Sequence, residues 1–173
     1  MNDNTVMFPA GKPDFKTIYD KYYDRIYKYV YTMLLHREDA EDIVSETFIA
    51  AYTAYDKYDP SLSSPATWLT RIAHNRAVNY VRSAAYTKRA DMPEYYEPSS
   101  GPNDFTADIE NNELVLRLYS QLSEDEREFL NLRYTMQLKD SEIAEMLGLK
   151  SKAVNKRYQR LMAKCRSILE NGA

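Results

Sequence analysis

Ser141-Glu142-Ile143-Ala144-Glu145-Met146-Leu147-Gly148-Leu149-Lys150-Ser151-Lys152-Ala153-Val154 is the stretch on which the reading of this chain turns. A helix-turn-helix needs a small residue where its two helices cross, and Ala144 supplies it. Four residues later it needs a residue that turns with positive φ, and Gly148 supplies that. Leu149 and Val154 then face a core shared with Ile143 and Leu147. This frees the polar side of the second helix, with Ser151, Lys152, Asn155, Lys156, Gln159 and Arg160. On such a helix, long polar side chains reach base edges in the major groove and basic ones reach phosphates. An ordinary helical hairpin with a glycine turn is the plainer alternative. Lys150–Arg166 holds basic residues and no acidic one, which favours DNA.

Upstream, Ser123-Glu124-Asp125-Glu126 reads as a capping box that opens a helix carrying Phe129, Leu130 and Arg133. At the other end of the chain, Phe15, Ile18, Tyr19, Tyr22, Ile26, Val30, Met33 and Leu34 recur at three- and four-residue steps, predicting a helix over 14–35. A second stripe runs Ile43, Val44, Phe48, Ala51, Tyr52, Tyr55, and a Pro/Ser loop over 58–65 breaks it. A third helix is expected from Ala66 to Arg82 on the stripe Leu69, Ile72, Ala73, Ala77, Tyr80, Val81. Met92–Asn103, with three prolines, a glycine and two serines, is a linker, and order is expected to resume near Phe105 or Ile109. Strand alternation, repeats and sustained heptads are absent. The chain is therefore expected to be all-α: a disordered arm over 1–13, a helical domain over 14–84, a flexible acidic linker over 85–110 and a second helical domain over 111–173.

Composition agrees. Only 4 glycines and 7 prolines in 173 residues favour helices over a turn-rich β fold. A single cysteine, Cys165, excludes an intrachain disulfide and suits a reducing cytoplasm. The N-terminal stretch lacks a basic segment followed by an apolar run, and no window suits a bilayer, so a cytosolic protein without membrane insertion is expected. Net charge is −3, yet it is unevenly laid out. Glu38–Glu46 is acidic, Pro60–Ala90 has Arg and Lys but no acid, Asp91–Asn112 is acidic again, and Lys150–Arg166 is basic. Two basic stretches suit two contacts on one polyanion, although charge alone is equally compatible with solvated faces.

Asp42 and Glu46 lie one turn apart, so both carboxylates share a helix face that Ile49 and Thr53 continue. An acidic face with an apolar residue suits a basic, partly apolar protein partner. Paired carboxylates could also serve a hydrolase, but no nucleophile–base pair, phosphate loop or ligand cluster accompanies them. No enzymatic activity, metal or cofactor is expected. The third helix presents Arg71, His74, Asn75, Val78 and Arg82 outward, and the polar loop before it can enclose an extruded base. Trp68 could stack on DNA but reads better as a core anchor, and the 16 tyrosines read as core or rim.

Two segments of the first half, taken together, carry a family resemblance. Asp39-Ala40-Glu41-Asp42-Ile43-Val44-Ser45-Glu46-Thr47-Phe48 resembles the D-A-E-D-L-V-Q-E-T-F signature of extracytoplasmic-function (ECF) sigma factors of bacterial RNA polymerase. Trp68-Leu69-Thr70-Arg71-Ile72-Ala73-His74-Asn75 resembles the W-L-x-x-I-A-x-N segment that follows it there, and the helix-turn-helix resembles the family's C-terminal domain. The resemblance implies that 14–84 is sigma region 2 and 111–173 sigma region 4. It implies that Asp39, Asp42, Ile43, Glu46 and Ile49 bind the β′ coiled coil of the polymerase core, and that Tyr58, Ser61, Ser63, Ser64, Thr67, Arg71, His74, Asn75 and Arg82 hold the unwound −10 element of promoter DNA. Region 4 would dock on the β flap and read the −35 element through Lys150, Ser151, Lys152, Asn155, Lys156, Arg157, Gln159 and Arg160. An anti-sigma factor is a further expected partner.

Three departures from the family pattern stand out. Ser45 stands in place of the usual Gln, Lys139 and Lys150 stand where capping serines are common, and Lys152-Ala153 replaces Gly-Thr. Asp140 and Ser151 are then expected to cap one residue later. A helix-turn-helix regulator that binds DNA without joining polymerase is the alternative; the acidic 39–48 helix weighs against it.

Overall fold

The structure, a computed structural model, describes residues 11–83 and 113–170. Among the described residues, seven α-helices run in the order α1 (Phe15–Leu34), α2 (Arg37–Ala54), α3 (Pro65–Val81), α4 (Glu113–Ser120), α5 (Glu124–Leu130), α6 (Asp140–Leu147) and α7 (Ser151–Glu170). The described residues contain no strand, in keeping with the all-α expectation. The expected return of order near Phe105 or Ile109, the linker over 85–110 and the first ten residues of the arm lie outside the described residues.

Local chemistry sets the helix ends. Asp14 caps α1 by accepting the Thr17 N–H at 3.0 Å. α1 stops at Leu35, whose φ of 52° is left-handed and turns the chain into α2. The His36 ring accepts the Asp39 N–H at the start of α2. Ser64 caps α3 and Pro65 occupies its first position, where proline's fixed φ fits and its missing N–H is no loss. The helix therefore begins one residue before the expected Ala66.

α1, α2 and α3 pack on one another as a bundle around Ile26, Tyr29, Val30, Val44, Phe48, Leu69 and Ala73. Ala51, Ala73 and Ala77 are fully buried, and their size lets the helices approach closely. The expected arm over 1–13 is tied down at its end. The Lys12 ammonium bonds the Tyr55 carbonyl and lies over the Tyr55 ring, and the Tyr55 hydroxyl donates to the Pro13 carbonyl.

In the second half, the capping box forms as read: the Ser123 hydroxyl accepts the Glu126 N–H and the Glu126 carboxylate accepts the Ser123 N–H. Past Leu130 the helix widens into a π-helical turn over Asn131–Thr135, closed by Met136 N–H to Asn131 carbonyl at 2.9 Å. Asn131 is fully buried, and its side-chain carbonyl accepts the Tyr119 hydroxyl at 3.0 Å. Phe129, Leu132, Met136, Ile143, Val154 and Leu161 fill this core. The two halves are not separate bodies: α1 packs directly on α5 and on the π-helical turn.

Candidate nucleic-acid interface

The reading head forms as its spacing dictates. Gly148 has φ 64°, and the Leu149 N–H bonds the Ala144 carbonyl at 2.8 Å, closing α6 where α7 is to begin. Ile143 and Val154 are fully buried between the two helices. The expected caps shift, however. Asp140 is the first helical residue and pairs with Arg133 at 2.6 Å, while the Glu142 carboxylate reaches back to the Lys139 N–H at 2.9 Å. Ser151 is likewise the first residue of α7 and not its cap. A lysine at the cap position is tolerated in α6 because a glutamate three residues on accepts the backbone donor that a capping serine leaves to it.

α7 is held by Val154, Leu161 and Cys165, which recur on one stripe and are buried. Lys150, Ser151, Lys152, Asn155, Lys156, Gln159 and Arg160 are exposed on the remaining surface. Arg157 departs from that set. It turns inward, donates to the Asp125 carbonyl at 3.0 Å and lies over the Phe129 ring, so it braces α7 against α5. Lys164 pairs with Glu126 at 2.6 Å on the same side.

The loop before α3 is built as a small frame. The Asp59 carboxylate accepts the Ser61 N–H, the Tyr58 hydroxyl donates to the Ser63 carbonyl at 2.9 Å, and the Tyr58 ring stacks on Trp68 at 4.4 Å. Tyr58 is consequently buried and positions the loop; it does not present a surface to a base. Trp68 is the anchor expected of it. Ser61 and Ser64 are exposed and Ser63 is half-buried. Leu62, missed from sequence because the loop was read as polar, is 83% exposed at the loop tip.

Asn75 on α3 and Arg82, the residue that closes the helix, face solvent as expected. Thr67 is buried, Arg71 and His74 are half-buried, and each meets a carboxylate. The Thr67 hydroxyl, buried here, donates to Glu142 at 2.7 Å; Arg71 pairs with Glu145 at 2.8 Å; the His74 ring meets the Glu128 carboxylate. All three partners belong to the second half. A cleft of about 320 Å³ between α3 and the second half is lined by His74, Val78, Arg82, Glu124, Glu128 and Arg157 among others. Burial pushes the Tyr29 hydroxyl, which sits 3.4 Å from the His74 ring, well above its ordinary pKa, and the Glu128 charge adds to this.

The acidic α2 face also divides. Asp42, Glu46 and Ile49 are exposed, Ile49 at 67%. Asp39 and Ile43 are buried, Asp39 against His36 at the head of α2 and Ile43 in the core, so they position the face without presenting it. Glu46 pairs with Arg76 of α3 at 2.7 Å. Tyr52, 68% exposed, and Tyr19 extend the face into an aromatic groove with Phe15, Phe48 and Ile49. Tyr52 lies one turn beyond Ile49, a spacing visible in the sequence, but its place in a core-type stripe hid it.

Among the described residues, no cluster of three or more His, Cys, Asp or Glu side chains could hold a metal, and no helix is long and apolar enough to cross a membrane.

Comparison with known proteins matches each half separately. Residues 18–87 match the model of sigma-70 region 2, and residues 112–165 match sigma-70 region 4. The chain is 26% identical over 168 residues to the ECF RNA polymerase sigma factor BldN of Streptomyces coelicolor, covering 95% of this chain and 64% of BldN. It is 29% identical over 164 residues to the ECF sigma factor SigW of Bacillus subtilis, covering 84% of this chain and 83% of SigW. Among solved structures, the sigma factor RpoE bound to the anti-sigma factor NepR from Bartonella quintana shares the fold, with a TM-score of 0.71, 19% identity and coverage of 91% of this chain and 97% of RpoE. CnrH, solved with the cytosolic domain of CnrY, aligns with a TM-score of 0.64 at 24% identity, over 92% of this chain and 89% of CnrH.

Proposed function

The chain belongs to the sigma-70 family as an ECF sigma factor, directing RNA polymerase to specific promoters, and from that premise we propose how its surfaces divide the work. The observation that carries the division is that the acidic, apolar α2 face and the basic α7 face are both exposed and lie on different halves. Asp42, Glu46 and Ile49, extended by Tyr52 and Tyr19, receive the β′ coiled coil of the polymerase core. A central apolar contact rimmed by charge is the arrangement that gives a protein interface both affinity and orientation.

α7 enters the major groove of the −35 element with Lys152, Asn155, Lys156, Gln159 and Arg160, and its half also docks on the β flap. The loop tip with Ser61, Leu62 and Ser64, together with Asn75 and Arg82, meets the −10 strand, joined by Arg71, His74 and Thr67 once they are released. Leu62 is placed to wedge against an unstacked base, a use that exposed apolar side chains find at opened DNA steps. The chain works as a non-catalytic subunit in the cytoplasm. The structural neighbour RpoE was solved with the anti-sigma factor NepR, and an anti-sigma factor is the partner we assign for regulation.

Run-off transcription with core polymerase on a genomic promoter library, with and without the chain, tests the function. Asp42→Arg combined with Glu46→Arg is expected to abolish co-purification with core polymerase while α7 still binds duplex DNA. Undiminished core binding in that variant would refute the α2 assignment.

A further inference from the structure

Lys12 lies three residues before α1, yet its contacts are at the far end of α2. Its ammonium donates to the Tyr55 carbonyl and, at 3.3 Å, to the Asp56 carbonyl. It sits 4.3 Å from the centre of the Tyr55 ring and 5.8 Å from that of Tyr58. The Tyr55 hydroxyl donates in return to the Pro13 carbonyl. The place suits a cation. Carbonyls at a helix C-terminus have no intrahelical donors and carry the negative end of the helix dipole, and tyrosine faces add to the attraction.

These contacts lead into the loop before α3. The Tyr55 carbonyl also accepts the Tyr58 N–H at 3.0 Å, closing the 3₁₀ turn over Tyr55–Lys57 that delivers Tyr58. The Tyr58 ring stacks on Tyr55 at 6.5 Å and on Trp68 at 4.4 Å, and its hydroxyl holds the Ser63 carbonyl. Asp59 binds the other side of the tip: its carboxylate accepts the Ser61 N–H and its carbonyl the Leu62 N–H. Hydrogen bonds from Ser61 hold the Asp59 carboxyl below its usual pKa, and the Lys12 charge adds to this. Ser61, Leu62 and Ser64 are exposed, so the shape of the tip is set by this frame and not by burial.

We propose that Lys12 is a positioning residue for promoter opening: its ammonium clamps the end of α2 and, through Tyr55, Tyr58 and Trp68, holds the Ser61–Ser64 loop in the shape that meets the −10 strand. The proposal rests on the assignment of that loop to the −10 strand. Lys12 touches no DNA and acts through the aromatic frame. A loop ordered before the strand arrives avoids the entropy cost of ordering it on binding.

The test uses the full chain reconstituted with core polymerase on a promoter recovered from the run-off library. Permanganate reactivity of unpaired thymines reports strand opening. Trp68 is the single tryptophan of the chain, so its emission reads the Tyr58 stack directly. Lys12→Met keeps the aliphatic stem and removes the charge and the donors. It is expected to shift Trp68 emission to longer wavelength and to reduce opening about three- to ten-fold, because apparent affinity scales with the fraction of loops in the competent shape. Co-purification with core polymerase and binding of α7 to duplex DNA should stay unchanged. Lys12→Arg, which restores charge and donors, should recover both emission and opening. Tyr58→Phe is the second variant: it keeps the stack but releases the Ser63 carbonyl, and should reduce opening with Trp68 emission nearly unmoved.

Unchanged Trp68 emission in Lys12→Met would overturn the clamp. Shifted emission with full opening would overturn its part in positioning the loop. Equal losses of core binding and duplex binding would reduce Lys12 to a general stabiliser and overturn the proposal as well. The underlying loop assignment is judged separately by Leu62→Ser, at the exposed tip, which should reduce opening without moving Trp68 emission. No effect there would overturn that assignment, and the proposal with it.

Discussion

Replacing Gly148 by alanine isolates the cost of the turn that makes the reading head. Gly148 has φ 64°, and a Cβ built there meets nothing within 4 Å. The penalty is therefore backbone strain alone, with no steric addition. An L-residue in the left-handed region costs about 1–2 kcal/mol. Alanine recovers about 0.4–1 kcal/mol by stiffening the unfolded chain, leaving a net loss of about 1 kcal/mol. For a chain of this size that lowers Tm by about 2–4 °C. Asparagine tolerates the left-handed region better, so Gly148→Asn should lose less than Gly148→Ala, and Gly148→Val more. Differential scanning calorimetry of the three variants gives the ranking. Binding of α7 to duplex DNA below the transition should be unchanged, since the folded turn is the same. A neutral or stabilised alanine variant would mean that the turn does not hold the left-handed conformation in solution. A loss above about 3 kcal/mol would mean that the site is crowded and the strain argument is wrong.

Other perturbations follow the same geometry. Lys156→Ala and Arg160→Ala should each weaken duplex binding and flatten the log K against log salt slope by about 1, whereas Arg157→Ala should leave the slope intact and lower stability through its lost contact with α5. Ser123→Ala should cost about 1 kcal/mol in urea denaturation, since it removes one arm of the capping box. Burial raises the Cys165 thiol pKa, so the native chain should react with thiol reagents at neutral pH far more slowly than the unfolded chain. Partial burial pushes the Glu126 carboxyl up, but the Lys164 and Ser123 hydrogen bonds outweigh it and hold the pKa below the usual 4.5. The stability it contributes is thus present at neutral pH and lost as pH falls through the native value. Lys164→Met should reduce the acid sensitivity of unfolding between pH 5 and the acid limit, measured by circular dichroism.

Much of this molecule is legible in its residue order because the signals are local. The helix stripes, the Ser123 capping box, the Ala144–Gly148 crossing and the Trp68 anchor each depend on neighbours within a turn or two, and each appears in the structure. The caps expected at Asp140 and Ser151 are instead the first residues of their helices, and at α6 Glu142, three residues on, accepts the Lys139 N–H in place of a side-chain cap. Tyr58, Asp39 and Ile43 were given to surfaces from which packing withdraws them. Periodicity tells which stripe is buried but not whether a residue at the margin of that stripe lies just inside or just outside.

The state of the α3 stripe was of a different kind. Thr67, Arg71 and His74 read as free DNA ligands because their carboxylate partners lie more than fifty residues away, beyond any helical spacing. The inward turn of Arg157 toward Asp125 is hidden for the same reason. Residue order therefore settled which helices form, which face each buries and which chemistry its polar side carries, since these follow from interactions along the chain. Which charged side chains meet depends on how the halves pack, and that came only from contacts across the fold.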